Sequence, residues 1–221
     1  MCGRYTTITP RPVLEKRFDA TFAHDAAPPN YNAAPSQQLP VVLNTDPGQL
    51  QRLQWGLLPG WVRDPKTAPK PINARAETLA EKPSFRQLLQ RRRCLVPADS
   101  FYEWQATPRG KVPHRILLRS EEPFAFAGLW DEWLDRQTGE VRPTFTIVTT
   151  EPNALMAPLH NRMPVILHDR AAELAWLDDA VPLVEHQALL QPFPAELMRA
   201  YPISTRVNSP AHNDPEVLEA A

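Results

Sequence analysis

The sequence of 221 residues predicts one α+β domain, a β core with short helices outside it, and three observations point there. The middle of the chain, 93–149, is almost wholly strand-like in its β-branched, aromatic and alternating content. The helix-patterned segments are short and lie outside that block. Strands and helices do not alternate regularly, which argues against a doubly wound parallel sheet.

Taken in order, residues 9–18 read as a helix entered through Thr9, with Val13, Leu14, Arg17 and Phe18 at three- and four-residue spacing. A Pro-rich loop runs to Pro40. Strands at 41–44 and 50–57 flank Thr45-Asp46-Pro47-Gly48, a turn-forming sequence, so a hairpin is expected there. The loop Leu58-Pro59-Gly60-Trp61 and a Pro-rich stretch (65–71) follow. Ile72 to Thr78 alternates like a strand, and 84–92 patterns as a helix ending in three arginines. Strands are expected at 93–98, 101–105, 114–119, 124–133 and 143–149. Asn153 reads as the cap of a short helix to 159, 163–167 as a strand, 170–178 and 183–190 as helices, and 198–204 as a last strand. The domain is expected over 1–208. The polar remainder, 209–221, reads as a flexible tail.

Composition narrows the function. Twenty-four Lys and Arg balance 25 Asp and Glu, for a net charge of −1, so any contact with nucleic acid has to come from a local patch. Proline, at 26 residues, is more than double its average share of about 5%, while only seven glycines are present. Neither a Walker A loop nor G-x-G-x-x-G occurs, which disfavours nucleotide cofactors. No run approaches the roughly 18 apolar residues of a membrane span, and no secretory pattern opens the chain, so a cytoplasmic protein is expected. Two cysteines are too few for a disulfide framework, and no histidine pair has metal-ligand spacing; no metal and no cofactor are expected.

Cys2 draws attention by position. Removal of Met1 would leave an α-amine beside a thiol, and reference pKa values of about 8 and about 8.5 leave both nucleophiles usable near neutral pH. The amine condenses with an aldehyde, and the thiol then closes a five-membered thiazolidine, a ring that no internal cysteine forms. An inconsequential second residue is the plain alternative. In an extended strand Arg4 faces the same way as Cys2, an arrangement that suits a phosphate or carboxylate substrate. Alternation likewise sets Asn73, Arg75 and Glu77 on one face, where Arg75 and Glu77 equally fit a structural ion pair.

Glu103 lies among Phe101, Tyr102 and Trp104, where desolvation raises a carboxyl toward the range of proton transfer; a backbone donor or an arginine would satisfy it just as well. His160 follows an expected helix end, two residues before Arg162, and is the best-placed histidine for catalysis. His24, His114, His168, His186 and His212 read as structural. Cys94, Trp55, Trp104, Trp130 and Trp133 read as core, whereas Trp61 in its loop suits stacking on a base.

Together, Met1-Cys2-Gly3-Arg4-Tyr5, Tyr31-Asn32-Ala33-Ala34-Pro35, Trp55-Gly56-Leu57, Ile72 to Thr78, Phe101-Tyr102-Glu103-Trp104 and His160-Asn161-Arg162-Met163-Pro164 resemble the SRAP family. Its members are the abasic-site-processing proteins, also called SOS-response-associated peptidases. The resemblance runs to about Asn208. It implies a mixed, barrel-like β core and a monomer that binds single-stranded DNA carrying an abasic site and crosslinks to it through the mature N-terminal cysteine.

On that likeness Cys2 is the nucleophile, Glu103 assists opening of the deoxyribose ring and imine formation, Asn73 holds the sugar or phosphate, and His160 serves later proton transfer or crosslink reversal. Arg4, Arg75 and Arg162 would bind phosphates, and Asn32, Pro35, Thr149 and Trp61 would line the DNA groove. Self-removal of Met1 would account for the peptidase label. Two departures stand out: Trp61-Val62 where relatives carry two tryptophans, and Ser100 where a glycine commonly precedes Phe-Tyr-Glu-Trp. An N-terminal-cysteine amidotransferase and a non-covalent single-strand-binding module are the competing readings.

Overall fold

Five strands cannot close into a barrel with every neighbour antiparallel, because an odd ring forces one like-directed pair. The computed structural model, which describes residues 2–23 and 28–221, closes its barrel with one such pair. The strands are β1 (Tyr5–Thr7), β2 (Thr21–Phe22), β3 (Asn30–Ala33), β4 (Gln38–Leu43), β5 (Asp46–Trp55), β6 (Asn73–Arg75), β7 (Arg93–Ala98), β8 (Ser100–Thr107), β9 (Gly110–Leu118), β10 (Phe124–Leu134), β11 (Val141–Thr150), β12 (Met163–Pro164) and β13 (Met198–Pro202). The helices are α1 (Arg11–Phe18), α2 (Pro83–Arg91), α3 (Arg170–Leu177) and α4 (Leu183–Ala188).

Strands β5, β4, β7, β10 and β11 pair antiparallel in that order. β11 then meets β5 in parallel, with Thr144 opposite Gln54 and Phe145 opposite Trp55. The fold is therefore α+β around a mixed five-strand barrel. β6 adds to the free end of β11, also in parallel. A second, antiparallel sheet runs in the order β13-β9-β8-β1-β3.

One apolar core joins barrel and second sheet. Tyr5 of β1 meets Trp55 and Phe126 edge-on at 5.2 and 5.8 Å, and Trp55 stacks on Phe145 at 6.3 Å. Packing is close at Gly128, where a Cβ would stand 2.7 Å from the Cys94 sulfur, 3.0 Å from a Val96 methyl and 3.2 Å from the Thr146 carbonyl oxygen. The other face of the barrel strands is covered by Leu14 and Phe18 of α1, Phe85, Leu88 and Leu89 of α2, and Trp176 of α3.

Two buried charges tie these helices down. Arg93 donates to the carbonyls of Leu89, Gln90 and Trp176, at the C-terminal ends of α2 and α3, where a cation is favoured. Its charge is met by Asp179 at 2.5 Å. Glu173 of α3, fully buried, is gripped by both guanidinium nitrogens of Arg17 on α1.

Several expected boundaries move, each for a local reason. The first helix begins at Arg11 behind Pro10, because the Thr9 hydroxyl and amide are taken by Asp99. The hairpin turns at Asn44-Thr45, and Asp46-Pro47-Gly48 lies in β5, with the register shifting beside Leu43. The Pro-rich loop before Pro40 contains β2 and β3, and His24 lies outside the described residues. Asn153 does accept the Met156 amide at 2.9 Å, but only hydrogen-bonded turns follow rather than a helix. The strand expected at 163–167 is paired in β12 and by one bridge at Ile166.

The last residues, read from their composition as a loose tail, are packed. Val217 is fully buried, Ala220 bridges to Ile203, and the Tyr31 amide donates to Asn213. No helix of the described residues is long and apolar enough to cross a membrane.

Candidate functional site

The site forms where β6 runs beside β11 and the chain start passes into β1. Pairing of β6 buries Ala74 against the core and leaves Asn73 and Arg75 on the opposite face. The Asn73 side-chain amide donates to the Cys2 carbonyl at 2.9 Å, so two residues 71 apart in sequence hold each other. The Asn73 side-chain oxygen, Oδ1, is buried with no hydrogen-bond partner among the described residues. Glu77 does not continue that face: the strand ends at Arg75 and Glu77 lies on a 3₁₀ turn. Its partner is Arg162 rather than Arg75, through two parallel bonds of 2.6 and 2.9 Å.

Arg162 in turn donates to the Thr149 carbonyl at 2.6 Å, and its backbone amide donates to Nδ1 of His160 at 3.0 Å. With Nδ1 an acceptor, the neutral imidazole carries its proton on Nε2. Thr149, opposite Arg75 in the β6–β11 register, is fully buried.

Glu103 sits in β8 and is only 3% exposed. Burial pushes its carboxyl above the ordinary value, and His160 pulls the other way when protonated. The Cys2 thiol is raised far more, first by complete burial and then by the negative charge of Glu103, while its sulfur lies 4.0 Å from the Arg4 carbonyl. Cys2, Glu103 and His160 are thus coupled electrostatically, and Asn73 fixes the backbone of the first. The sulfur is a thiol at neutral pH until a base removes its proton.

The other expected residues divide. The Arg4 guanidinium donates to Asn32 (2.7 Å) and to the carbonyls of Val207 (2.7 Å) and Asn208 (3.1 Å). Asn32 is fully buried and donates to the carbonyls of Val207, Ser209 and His212. These two residues bracket the C-terminal segment against the N-terminal strand. Arg75 is exposed and makes no side-chain hydrogen bond or ion pair among the described residues. Of the three arginines it alone makes no such bond. Pro35 is half-buried, and Trp61 is 71% exposed. Among the described residues no group of His, Cys, Asp and Glu is arranged to hold a metal.

The sequence pattern of the family described as SOS response associated peptidase (SRAP) matches residues 1–210. The chain belongs to the SRAP family. It is 46% identical over 227 residues to the Bacillus subtilis (strain 168) protein named abasic site processing protein YoqW, with both chains covered in full. It is 35% identical to the Gallus gallus protein named abasic site processing protein HMCES, across 86% of this chain and 66% of the other. A crystal structure of a Bacteroides thetaiotaomicron protein superposes with a TM-score of 0.92 at 31% identity, each chain covered entirely. One from Bordetella bronchiseptica gives 0.80 at 25% identity, over 92% of this chain and all of the other.

Within this SRAP chain, the departure at Ser100 is absorbed without a turn. Ser100 is buried in β8, its hydroxyl 2.8 Å from that of Thr6 and receiving Arg115 Nε at 2.9 Å. Sequence reasoning missed the Glu77–Arg162 fork as the support beneath His160, and the bracket made by Arg4 and Asn32. A period-two pattern signals which face a residue takes, but nothing in it names a partner 85 or 203 residues away.

Proposed function

We propose that this chain captures abasic sites in single-stranded DNA through a covalent bond to Cys2 once Met1 has been removed. The observation that carries the reading is the Asn73–Cys2 hydrogen bond beside the raised carboxyl of Glu103. The names of the relatives support the substrate class.

The chemistry follows from the residues. Glu103 takes the proton from the C1′ hydroxyl of the abasic sugar as the C1′–O4′ bond breaks to give the aldehyde, and O4′ leaves as a hydroxyl with a proton from His160. The Cys2 amine adds to that carbonyl, and water leaves as the imine forms, with the protonated Glu103 supplying its proton. The Cys2 sulfur then adds to the imine carbon while the nitrogen takes up the thiol proton, closing the thiazolidine with no net gain or loss of atoms. The held Cys2 backbone turns this closure into a positioned intramolecular step. The unpartnered Asn73 oxygen accepts from the amine or a sugar hydroxyl. His160, its Nδ1 engaged by the Arg162 amide, serves proton transfer to the leaving oxygen and in reversal. Arg75 takes a flanking phosphate, and Trp61 stacks on a base. Arg4 and Asn32 brace the strand rather than meet DNA, and the Glu77–Arg162 fork orients His160.

The experiment is incubation of the protein with abasic and intact single strands, followed by a denaturing gel. A heat-stable adduct is expected with the abasic strand alone, and none from Cys2→Ala. An undiminished adduct in that variant overturns the assignment of Cys2. Ammonia release from glutamine without DNA would favour the hydrolase reading instead.

A further inference from the structure

β9 contributes no residue to the chemistry above, yet it places a second histidine beside Glu103. In the β8–β9 ladder Glu103 lies directly opposite His114, so the two side chains leave the same face of the sheet with their Cβ atoms about 5 Å apart. Further along, that face meets the core, where Phe101 is opposite Ile116 and both are fully buried. Two residues the other way, Gln105 donates to the Pro158 carbonyl at 3.3 Å, which seats the segment leading to His160 against the same stretch of β8. Glu103 therefore has two histidines for neighbours, one from that segment and one across the ladder.

The two imidazoles are held in opposite tautomers. His160 Nδ1 accepts the Arg162 amide, which puts its proton on Nε2. His114 Nδ1 lies 3.1 Å from the Val112 carbonyl; a carbonyl only accepts, so here Nδ1 carries the proton and the bare Nε2 is the base. Exposure differs as well. Glu103 is almost wholly buried, whereas His114 is half-buried and keeps part of its hydration, so a charge costs less on its ring.

The use for such a base follows from burial. A desolvated carboxyl retains its proton, while ring opening needs the carboxylate. We infer that His114 is a positioning residue for Glu103, which takes the carboxyl proton onto Nε2 and holds a carboxylate–imidazolium pair ready for the sugar; the inference rests on the proposed function. One proton moves from oxygen to nitrogen, and no other bond changes. Among the described residues the other ionisable groups coupled to Glu103 are the Cys2 thiol and His160, joined in the processed chain by the Cys2 amine. On the far side of His114, β13 presents Pro202. Lys111 and Arg115 alternate to the other face of β9, where Arg115 donates to Ser100 and to the Tyr201 hydroxyl. Arg206, in the turn after β13, is paired with Asp214 and Glu216. None of these cations substitutes for His114.

The test is a carbon-13 NMR titration of the Glu103 carboxyl in the full chain, its signal assigned by its loss in Glu103→Gln, alongside single-turnover crosslinking from about pH 5 to about pH 9. His114→Phe should raise the carboxyl midpoint by about one unit and move the acid limb of the rate profile with it, so that crosslinking is about tenfold slower at a fixed pH on that limb. Binding of a strand carrying a non-reactive tetrahydrofuran abasic analogue should not change. His114→Lys, which keeps a cation opposite Glu103, should restore both midpoint and limb. In the Glu103→Gln background His114→Phe should cost nothing further. Nitrogen-15 spectra of the neutral ring should show Nε2 as the bare nitrogen. The inference is overturned if midpoint and limb stay where the parent has them, if lysine fails to restore them, if the rate loss recurs in the Glu103→Gln background, or if the proton is found on Nε2. Absence of an adduct from the parent at every pH would overturn the proposed function instead, and the carboxyl midpoint would still decide the pairing.

Discussion

The seam around Cys2 and the loop around Trp61 are built on opposite principles. At the seam Cys2, Glu103 and Thr149 are buried, and the polar groups around them are spent on one another: Asn73 on Cys2, Arg162 on Glu77 and Thr149. In the loop after β5 the Trp61 indole faces outward, and only the loop is fastened, by the Gly60 amide to Asp131 and by Trp133 Nε1 to the Val62 carbonyl. Chemistry that needs shifted proton affinities has to exclude water, whereas adhesion to a flexible polyanion needs exposed charge and rings. On the proposed function the two regions divide reactivity from grip, and variants should separate them.

The largest effect is expected at Glu103. Glu103→Gln should lower the crosslinking rate by about 10²–10⁴-fold, measured in single-turnover gel assays, with binding of the tetrahydrofuran strand retained. The same variant should be more heat-stable at neutral pH. Burial raises the folded carboxyl above its ordinary value of 4.5, so its contribution is fullest below that pH and is lost as pH rises through the folded value. A parent whose melting temperature does not fall relative to Glu103→Gln between acid and neutral pH would refute the seam's character as a desolvated site.

Next comes the packing that holds the seam in place. Gly128→Ala should cost about 1–3 kcal/mol in urea unfolding, since the new methyl meets the Cys94 sulfur at 2.7 Å. Cys94→Ala in the same chain should recover part of the loss, with the Val96 methyl at 3.0 Å and the Thr146 carbonyl at 3.2 Å accounting for what remains. Full additivity of the two changes would count against that contact.

Trp61→Ala should weaken strand binding by about 1–3 kcal/mol in titrations while leaving the melting temperature unchanged, because the ring is 71% exposed. A lowered melting temperature would make it a packing residue like Trp133. The smallest effect is expected at Glu77→Gln, no more than about 1 kcal/mol, since Glu77 is 50% exposed. Arg162 holds its carboxyl below 4.5, so the contribution is present above that pH and disappears as pH falls through the lower folded value. Melting curves taken down to acid pH check the sign.

Much of this was legible in the residues. Alternation located the barrel strands, and it told correctly that Asn73 and Arg75 share a face. Composition around Glu103 foretold a buried carboxyl, since three aromatic neighbours within one strand leave little room for water. Failures fell where a side chain competes with its own backbone pattern. Thr9 was taken by Asp99 instead of capping a helix, and Glu77 left its strand for a 3₁₀ turn to reach Arg162. The stretch after Asn208 looked loose because its few apolar residues, Val217 among them, bury against distant surfaces that its own composition does not reveal.

By itself the sequence determined the residue types the chemistry needs and the periodicity that sets which faces they occupy, because both are local properties of neighbouring side chains. Only the tertiary structure decided the pairings. Arg4, equally suited on paper to a phosphate, closes on Asn32 and two carbonyls more than 200 residues onward, and Arg162 closes on Glu77. A guanidinium takes whichever acceptors the folded chain brings within reach, and that choice is made by strand register and barrel closure rather than by spacing along the chain.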